Sequence, residues 1–143
     1  VSVVVWDGTT LAADRQATNS NLRRTMTKIS RHGDVLIAGT GTQTSTQAVR
    51  EWILAGAHPD KFPHSETDDN TAVWVINRNG TIVKFENSPF GIRYLDKVFA
   101  EGSGRDFALG AMTMGADAVT AVEVACMYDI YCGGGIDTLS FDD

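Results

Sequence analysis

Cysteine is nearly absent from this chain. Cys126 and Cys132 are the only two in 143 residues, too few for a disulfide framework, so a reducing, cytoplasmic setting is expected. Proline is scarce: Pro59 and Pro63 fall in one polar stretch, with Pro89 beyond it. No apolar run approaches the roughly 20 residues of a membrane span. The opening residues carry no basic segment ahead of an apolar one, so no secretory signal and no membrane association are expected. Basic residues number 12 against 18 acidic ones. They are scattered, which argues against a nucleic-acid surface. His32, His58 and His64 lack metal-ligand spacing, so no metal site is expected. Internal repeats, low-complexity segments and a second-domain linker are missing too.

What remains is a chain with 43% hydrophobic residues, enough for one domain, residues 1–143, with a packed core. Val1 to Val5 read as a strand, Asp7-Gly8 as a hairpin turn, and Thr9 to Ala13 as the returning strand. Counting outward from that turn sets Asp14 opposite residue 1 or 2, so its carboxylate is aimed at the start of the chain. Lys28-Ile29-Ser30 and Val35 to Gly39 form a second pair, with Arg31 to Asp34 as the turn. From Thr44 the period becomes helical. Ser45 or Thr46 is the expected cap, Ala48, Val49, Trp52 and Ile53 form the apolar stripe, and Gly56 is the stop. The stretch from His58 to Asn70 is a loop.

Strands return at Ala72 to Ile76 and Thr81 to Phe85, joined by Asn79-Gly80, the sequence of a type I′ turn. Gly91 to Tyr94 and Val98 to Glu101 are shorter strands. Two helices follow, Arg105 to Met114 and a second one capped by Asp117, then a glycine break at 133–135 and a last strand from Ile136 to Phe141. Strands, one helix, strands, two helices and a strand make an α+β chain. Two antiparallel sheets stacked face to face and covered by helices satisfy every element.

Several motifs are excluded by their details. "GTGTQT" at Gly39 has Thr44 where a dinucleotide fingerprint needs its third glycine, and hairpins flank it. "GSGRDFALG" at Gly102 lacks the Gly-Lys-Ser/Thr end of a phosphate loop. It reads as a helix start, with Ser103 near the N-cap. There is no Gly-x-Ser-x-Gly elbow and no histidine placed to serve Ser103. Cys132 follows a helix, at the end that disfavours a thiolate, and reads as a packing or hydrogen-bonding residue.

Taken in order, "LAADRQAT", a lysine followed by isoleucine, "LIAGTG", "EGSGRDFALGAM" and "CMYDIYCGGGIDTLSF" resemble the proteasome β-subunit family and its compact bacterial or phage-type relatives. These are N-terminal nucleophile hydrolases, and the likeness runs along nearly the whole chain. It implies a four-layer αββα sandwich, assembly into six- or seven-fold homo-oligomeric rings, peptide or unfolded-protein substrates and an ATP-dependent unfoldase partner. No cofactor is implied. Asp14 matches the family's buried aspartate and Lys28 the lysine it orients. Ser103 matches a serine beside the nucleophile, and Asp129 the aspartate supporting it. Cys132 stands where the family commonly has another serine. Thr18 and Gly39 match residues whose backbone lines the cleft, with the Gly39 amide as oxyanion donor.

The chemistry explains these types. A chain-terminal hydroxyl carries its own base, the α-amine, whose ordinary pKa is about 7.7–8.0. A nearby ammonium favours the neutral amine and a developing alkoxide, and a carboxylate fixes that ammonium. The family's mature chain begins with threonine, whereas Val1 here has no nucleophilic atom. Ser2 is the nearest hydroxyl and becomes the nucleophile if Val1 is removed. With Val1 retained, the expectation is an inactive ring or scaffold subunit; a small-molecule amidase is a third reading. The chain is also short for the family, having lost most of a second long helix after Gly56. The exposed side of the Ala48–Trp52 helix, Phe62 and Phe90 are ring-contact candidates, with local packing as the equal alternative.

Overall fold

The computed structural model describes residues 2–66 and 70–142. The first hairpin is β1 (Val4–Trp6) and β2 (Leu11–Asp14). Its turn is longer than a two-residue Asp-Gly loop. Asp7 Oδ1 accepts from the amides of Thr9 and Thr10 at 2.8 and 2.7 Å, closing a four-residue loop. Trp6 therefore faces Leu11 and Val4 faces Ala13. The expected register is corrected by that loop: Asp14 lies level with Val3, to whose carbonyl its amide donates at 3.2 Å.

A second hairpin, β3 (Gln16–Asn19) with β4 (Leu22–Thr25), follows at once and has no counterpart among the expected elements. β5 (Ile29–His32) and β6 (Val35–Thr40) come next, leaving only Gly33-Asp34 between them. α1 (Gln43–Leu54) starts earlier than Ser45, with Thr42 at its N-cap. The Thr46 hydroxyl bonds back to the Thr42 carbonyl at 2.9 Å instead of capping. Gly56, at a φ of +110°, ends the helix. A 3-10 turn, Pro59–Lys61, lies in the stretch expected as a loop, of which residues 67–69 fall outside the described residues.

β7 (Ala72–Asn77) and β8 (Ile82–Phe85) pair with Ile76 opposite Ile82. The connecting loop is Arg78-Asn79-Gly80, with Gly80 at φ +93° and Asn79 not left-handed, so it is not the two-residue type I′ turn. β9 (Ile92–Tyr94), β10 (Phe99–Glu101), α2 (Arg105–Thr113), α3 (Ala118–Tyr128) and β11 (Ile136–Leu139) complete the order. Gly104 is the N-cap of α2, with Ser103 next to it as expected. Asp117 caps α3 by accepting from the Thr120 amide at 2.9 Å.

The strands form a four-stranded sheet, β10-β1-β2-β11, a five-stranded sheet, β5-β6-β7-β8-β9, and the separate β3-β4 pair. Period-two alternation builds the layers. Val4, Trp6, Leu11 and Ala13 meet Leu36, Ala38, Trp74 and Ile76 between the two sheets. Val3, Val5 and Ala12 face outward onto Ala118, Ala121, Val122 and Ala125 of α3. Ile37 and Val73 face outward onto Val49 and Trp52 of α1. The result is an α+β, four-layer αββα sandwich. Phe62 is buried, its ring 4.8 Å from that of buried Trp52, so this ring-contact candidate serves local packing. Phe90 stays exposed.

Candidate active site

At the end of the sandwich where β1 begins and β2 ends, the chain gathers its buried polar residues. Ser2, Asp14 and Lys28 are all within 1% of full burial. Lys28 Nζ lies 2.7 Å from Asp14 Oδ1, and neither side chain touches solvent. The same oxygen accepts from the Val3 amide at 3.0 Å. The lysine nitrogen and the backbone next to Ser2 thus share one acceptor. Asp14 Oδ2 takes the amides of Gln16 at 3.3 Å and Gly133 at 3.0 Å. Four donors saturate a carboxylate that would otherwise be costly to bury.

Residue 2 is held from the other side by the loop between β10 and α2. The Ser2 nitrogen donates to Ser103 Oγ at 3.1 Å, and the Gly104 amide donates to the Ser2 carbonyl at 3.1 Å. Gly102, at φ +104°, allows this approach. A Cβ there would lie 2.3 Å from the Ser2 carbonyl oxygen.

Asp129 follows α3 and accepts from the Tyr131 amide at 2.9 Å and from Cys132 Sγ at 3.4 Å. Burial pushes its carboxyl up, but hydrogen bonds from Ser103, Tyr131 and Cys132 outweigh that and hold it below the ordinary carboxylate range. Cys132 is buried, and its thiol is pushed up to about 12, first by burial and then by the charge of Asp14 and its bond to Asp129. It donates a weak hydrogen bond and is not a nucleophile.

Ser2, Asp14, Lys28, Ser103, Asp129 and Cys132 therefore converge through direct contacts. Thr18 is exposed on β3, its hydroxyl accepting from Gln16 Nε2 at 3.4 Å, and joins none of these contacts. Gly39 does not have a free amide: it donates to the Lys28 carbonyl at 3.1 Å. Its side-chain face is closed too, since a Cβ would meet Thr46 Cγ2 of α1 at 2.0 Å. The next amide on the same edge of the chain is that of Gly41, just before the N-terminus of α1 and past the end of β5. Gly41 sits at φ +106°, where a Cβ would come 2.6 Å from the Thr71 Cα. Gly41, the second glycine of Gly39-Thr40-Gly41, thus stands next to a helix start. Among the described residues no group of three or more His, Cys, Asp or Glu could hold a metal ion, and no helix is long and apolar enough to cross a membrane.

The αββα sandwich is the fold that the sequence resemblance implied, and solved structures share it. Among solved structures, BPH of Thiobacillus denitrificans matches with a TM-score of 0.71 at 22% identity, over 97% of this chain and 96% of that one. Eukaryotic HslV from Trypanosoma brucei matches with a TM-score of 0.70 at 19% identity, over 96% and 97% of the two chains. The Gly-1 mutant of Anbu from Hyphomicrobium sp. strain MC1 gives 0.72 at 14% identity, over 98% and 81%. At these identities the likeness establishes the fold. No family model and no curated protein sequence matches the chain.

Proposed function

We propose that this chain is a proteasome-like peptidase whose nucleophile is the Ser2 hydroxyl, made competent when whatever precedes Ser2 is removed and its nitrogen becomes a free amine. The observation that carries the reading is the shared oxygen of Asp14, which holds Lys28 Nζ at 2.7 Å and the Val3 amide at 3.0 Å. A structural ion pair has no need to sit one residue from a buried serine at the end of a sheet.

The residues divide the work. The Ser2 hydroxyl attacks the peptide carbonyl carbon and its proton passes to the α-amine. Lys28 stabilises the alkoxide as it forms, and Asp14 holds Lys28 in place. The Gly41 amide takes the oxyanion. The C–N bond then breaks, and the departing nitrogen receives the proton from the α-ammonium, leaving an ester on Ser2. Water, deprotonated by the amine, cleaves that ester. Ser103, bonded to the Ser2 nitrogen, and Asp129 behind it carry protons to and from the amine.

Homo-oligomeric rings of six or seven subunits in the cytoplasm, fed by an ATP-dependent unfoldase, complete the proposal. Phe107 and Tyr128, stacked at 5.8 Å on the outer helices, supply an apolar contact face.

The test compares a chain beginning at Ser2 with one in which the Ser2 nitrogen is acetylated, on a fluorogenic peptide amide. Turnover by the first, an at least about hundredfold loss in the second and loss in Ser2→Ala support the reading. A free Ser2 chain that cleaves nothing, with Ser2→Thr equally inert, overturns it in favour of a non-catalytic subunit.

A further inference from the structure

A cavity of about 780 Å³ opens beside the proposed nucleophile, with Gly41, Gly102 and Ser103 on one wall and Lys84, Glu101 and Arg105 on another. Strand alternation explains the second wall. Phe99 and Glu101 lie on the same face of β10, toward the layer between the sheets. Trp74 and Lys84 are cross-strand partners on β7 and β8, and Trp74 stacks on Phe99 at 4.0 Å. The inter-sheet core therefore ends, at the Ser2 end of the sandwich, in a polar mouth. Glu101 Oε1 accepts from Lys84 Nζ at 2.8 Å and from Trp74 Nε1 at 3.2 Å, and Arg105 reaches Oε2 at 3.5 Å.

Two cations thus share one buried carboxylate. The Glu101 side chain is 10% exposed and that of Lys84 16%. Burial works against both charges, but their mutual hydrogen bond holds Lys84 protonated and Glu101 ionised. Glu66, Glu86 and Asp106, the last 3.8 Å from Arg105, carry the opposing charge on the lining, where all three are exposed and solvent screens them. An ammonium has three donors, and Glu101 uses one of those on Lys84.

Direction follows from the proton. In the proposed mechanism the Ser2 amine must return its proton to the departing nitrogen, and the Ser2 nitrogen, here a peptide N–H, is bonded to Ser103 Oγ, which lines this cavity. Thr18 and the rest of β3 do not line it. We propose, resting on the catalytic reading above, that this cavity takes the leaving-group half of the substrate and that Lys84, with Arg105, recognises a carboxylate on it. The chain then favours bonds whose departing amine belongs to a free amino acid or a very short peptide ending in a carboxylate. Glu101 is a positioning residue that aims Lys84.

The test has a binding arm and a turnover arm. In the first, the indole Nε1–H signal of Trp74 is followed by NMR as the chain is titrated with Ala-Ala and with its C-terminal amide. The Trp52 indole, donated to the His58 carbonyl at 2.8 Å, is the internal control. Ala-Ala is expected to shift the Trp74 signal saturably, about tenfold more tightly than the amide. Lys84→Gln, or the half-exposed Arg105→Gln where the first variant fails to fold, should narrow that gap. In the second arm the chain beginning at Ser2 hydrolyses paired substrates differing only in a free or amidated leaving residue, and the preference for the acid should appear in KM. Equal binding of acid and amide, or hydrolysis without discrimination, overturns this inference and leaves the nucleophile untouched. Selective binding without hydrolysis overturns the nucleophile and leaves the carboxylate site standing.

Discussion

Lys28 and Asp14, fourteen positions apart in sequence, meet at 2.7 Å with no solvent on either side chain. Removing one partner leaves an uncompensated charge in the interior, which costs about 3–5 kcal/mol. Lys28→Met and Asp14→Leu alone should each lower stability by that order in chemical denaturation. The double variant should recover only the part due to the unpaired charge, because the amides of Val3, Gln16 and Gly133 still lose their acceptor. Turnover should not recover in the double variant. Recovery of activity would mean the pair is scaffolding.

Gly102 and Gly110 make a matched contrast. A Cβ at Gly102 falls 2.3 Å from the Ser2 carbonyl oxygen and on a φ of +104°, whereas one at Gly110 in α2 meets nothing within 4 Å. Gly102→Ala should displace residue 2 and destabilise by about 1–3 kcal/mol, with loss of turnover. Gly110→Ala should stabilise by about 0.5–1 kcal/mol, with turnover unchanged. Thermal melts and peptide hydrolysis read both.

Acid should weaken the fold through Glu101 and Asp129. Burial raises both carboxyls, but hydrogen bonds lower them further, to below 4.5 for Glu101 and below 3.8 for Asp129. A carboxyl depressed in the folded state contributes stability that is full above its unfolded value and is lost as pH falls through the folded one. Melting temperature should therefore drop as pH falls below about 4.5, and Glu101→Gln should flatten that limb. An unchanged slope in the variant would remove Glu101 from the account.

The thiols titrate the other way. Burial raises Cys126 to about 11 and Cys132 to about 12, from 9.0. An acid raised in the folded state favours folding below its unfolded value and loses that advantage as pH rises beyond it. Neither thiol should react with iodoacetamide in the folded protein at pH 8, and both should react in denaturant. Rapid labelling of folded Cys132 would contradict its burial.

The layers were legible because β1, β2, β6 and β7 alternate between two apolar faces, and because α1 and α3 repeat at 3.6 residues. The β3-β4 hairpin was not: Leu22 to Thr25 are exposed throughout, so no buried face marks them. Asp14 and Lys28 were recognised as partners from the resemblance, yet the register was off because Asp7 closes its loop through two amides instead of one tight pair. The partner of the Gly39 amide was hidden for a related reason. Which amide on a strand edge is free depends on where the neighbouring strand stops, and Lys28 supplies the carbonyl that occupies Gly39. The Lys84–Glu101–Arg105 cluster went unnoticed because Lys84 comes from a distant strand, and the i,i+4 spacing of Glu101 and Arg105 runs from a strand end into a helix start and not along one helix face.

A free amine and a hydroxyl on the same residue are the heart of the account, and a peptide epoxyketone reports both, since its adduct needs the hydroxyl at the ketone and the amine at the epoxide. Intact mass of the chain beginning at Ser2, after incubation with such a reagent, is the most direct measurement. The account expects one equivalent added, mapped to the peptide containing Ser2 and missing when the Ser2 nitrogen is acetylated. An unmodified mass, or an adduct located elsewhere in the chain, contradicts it.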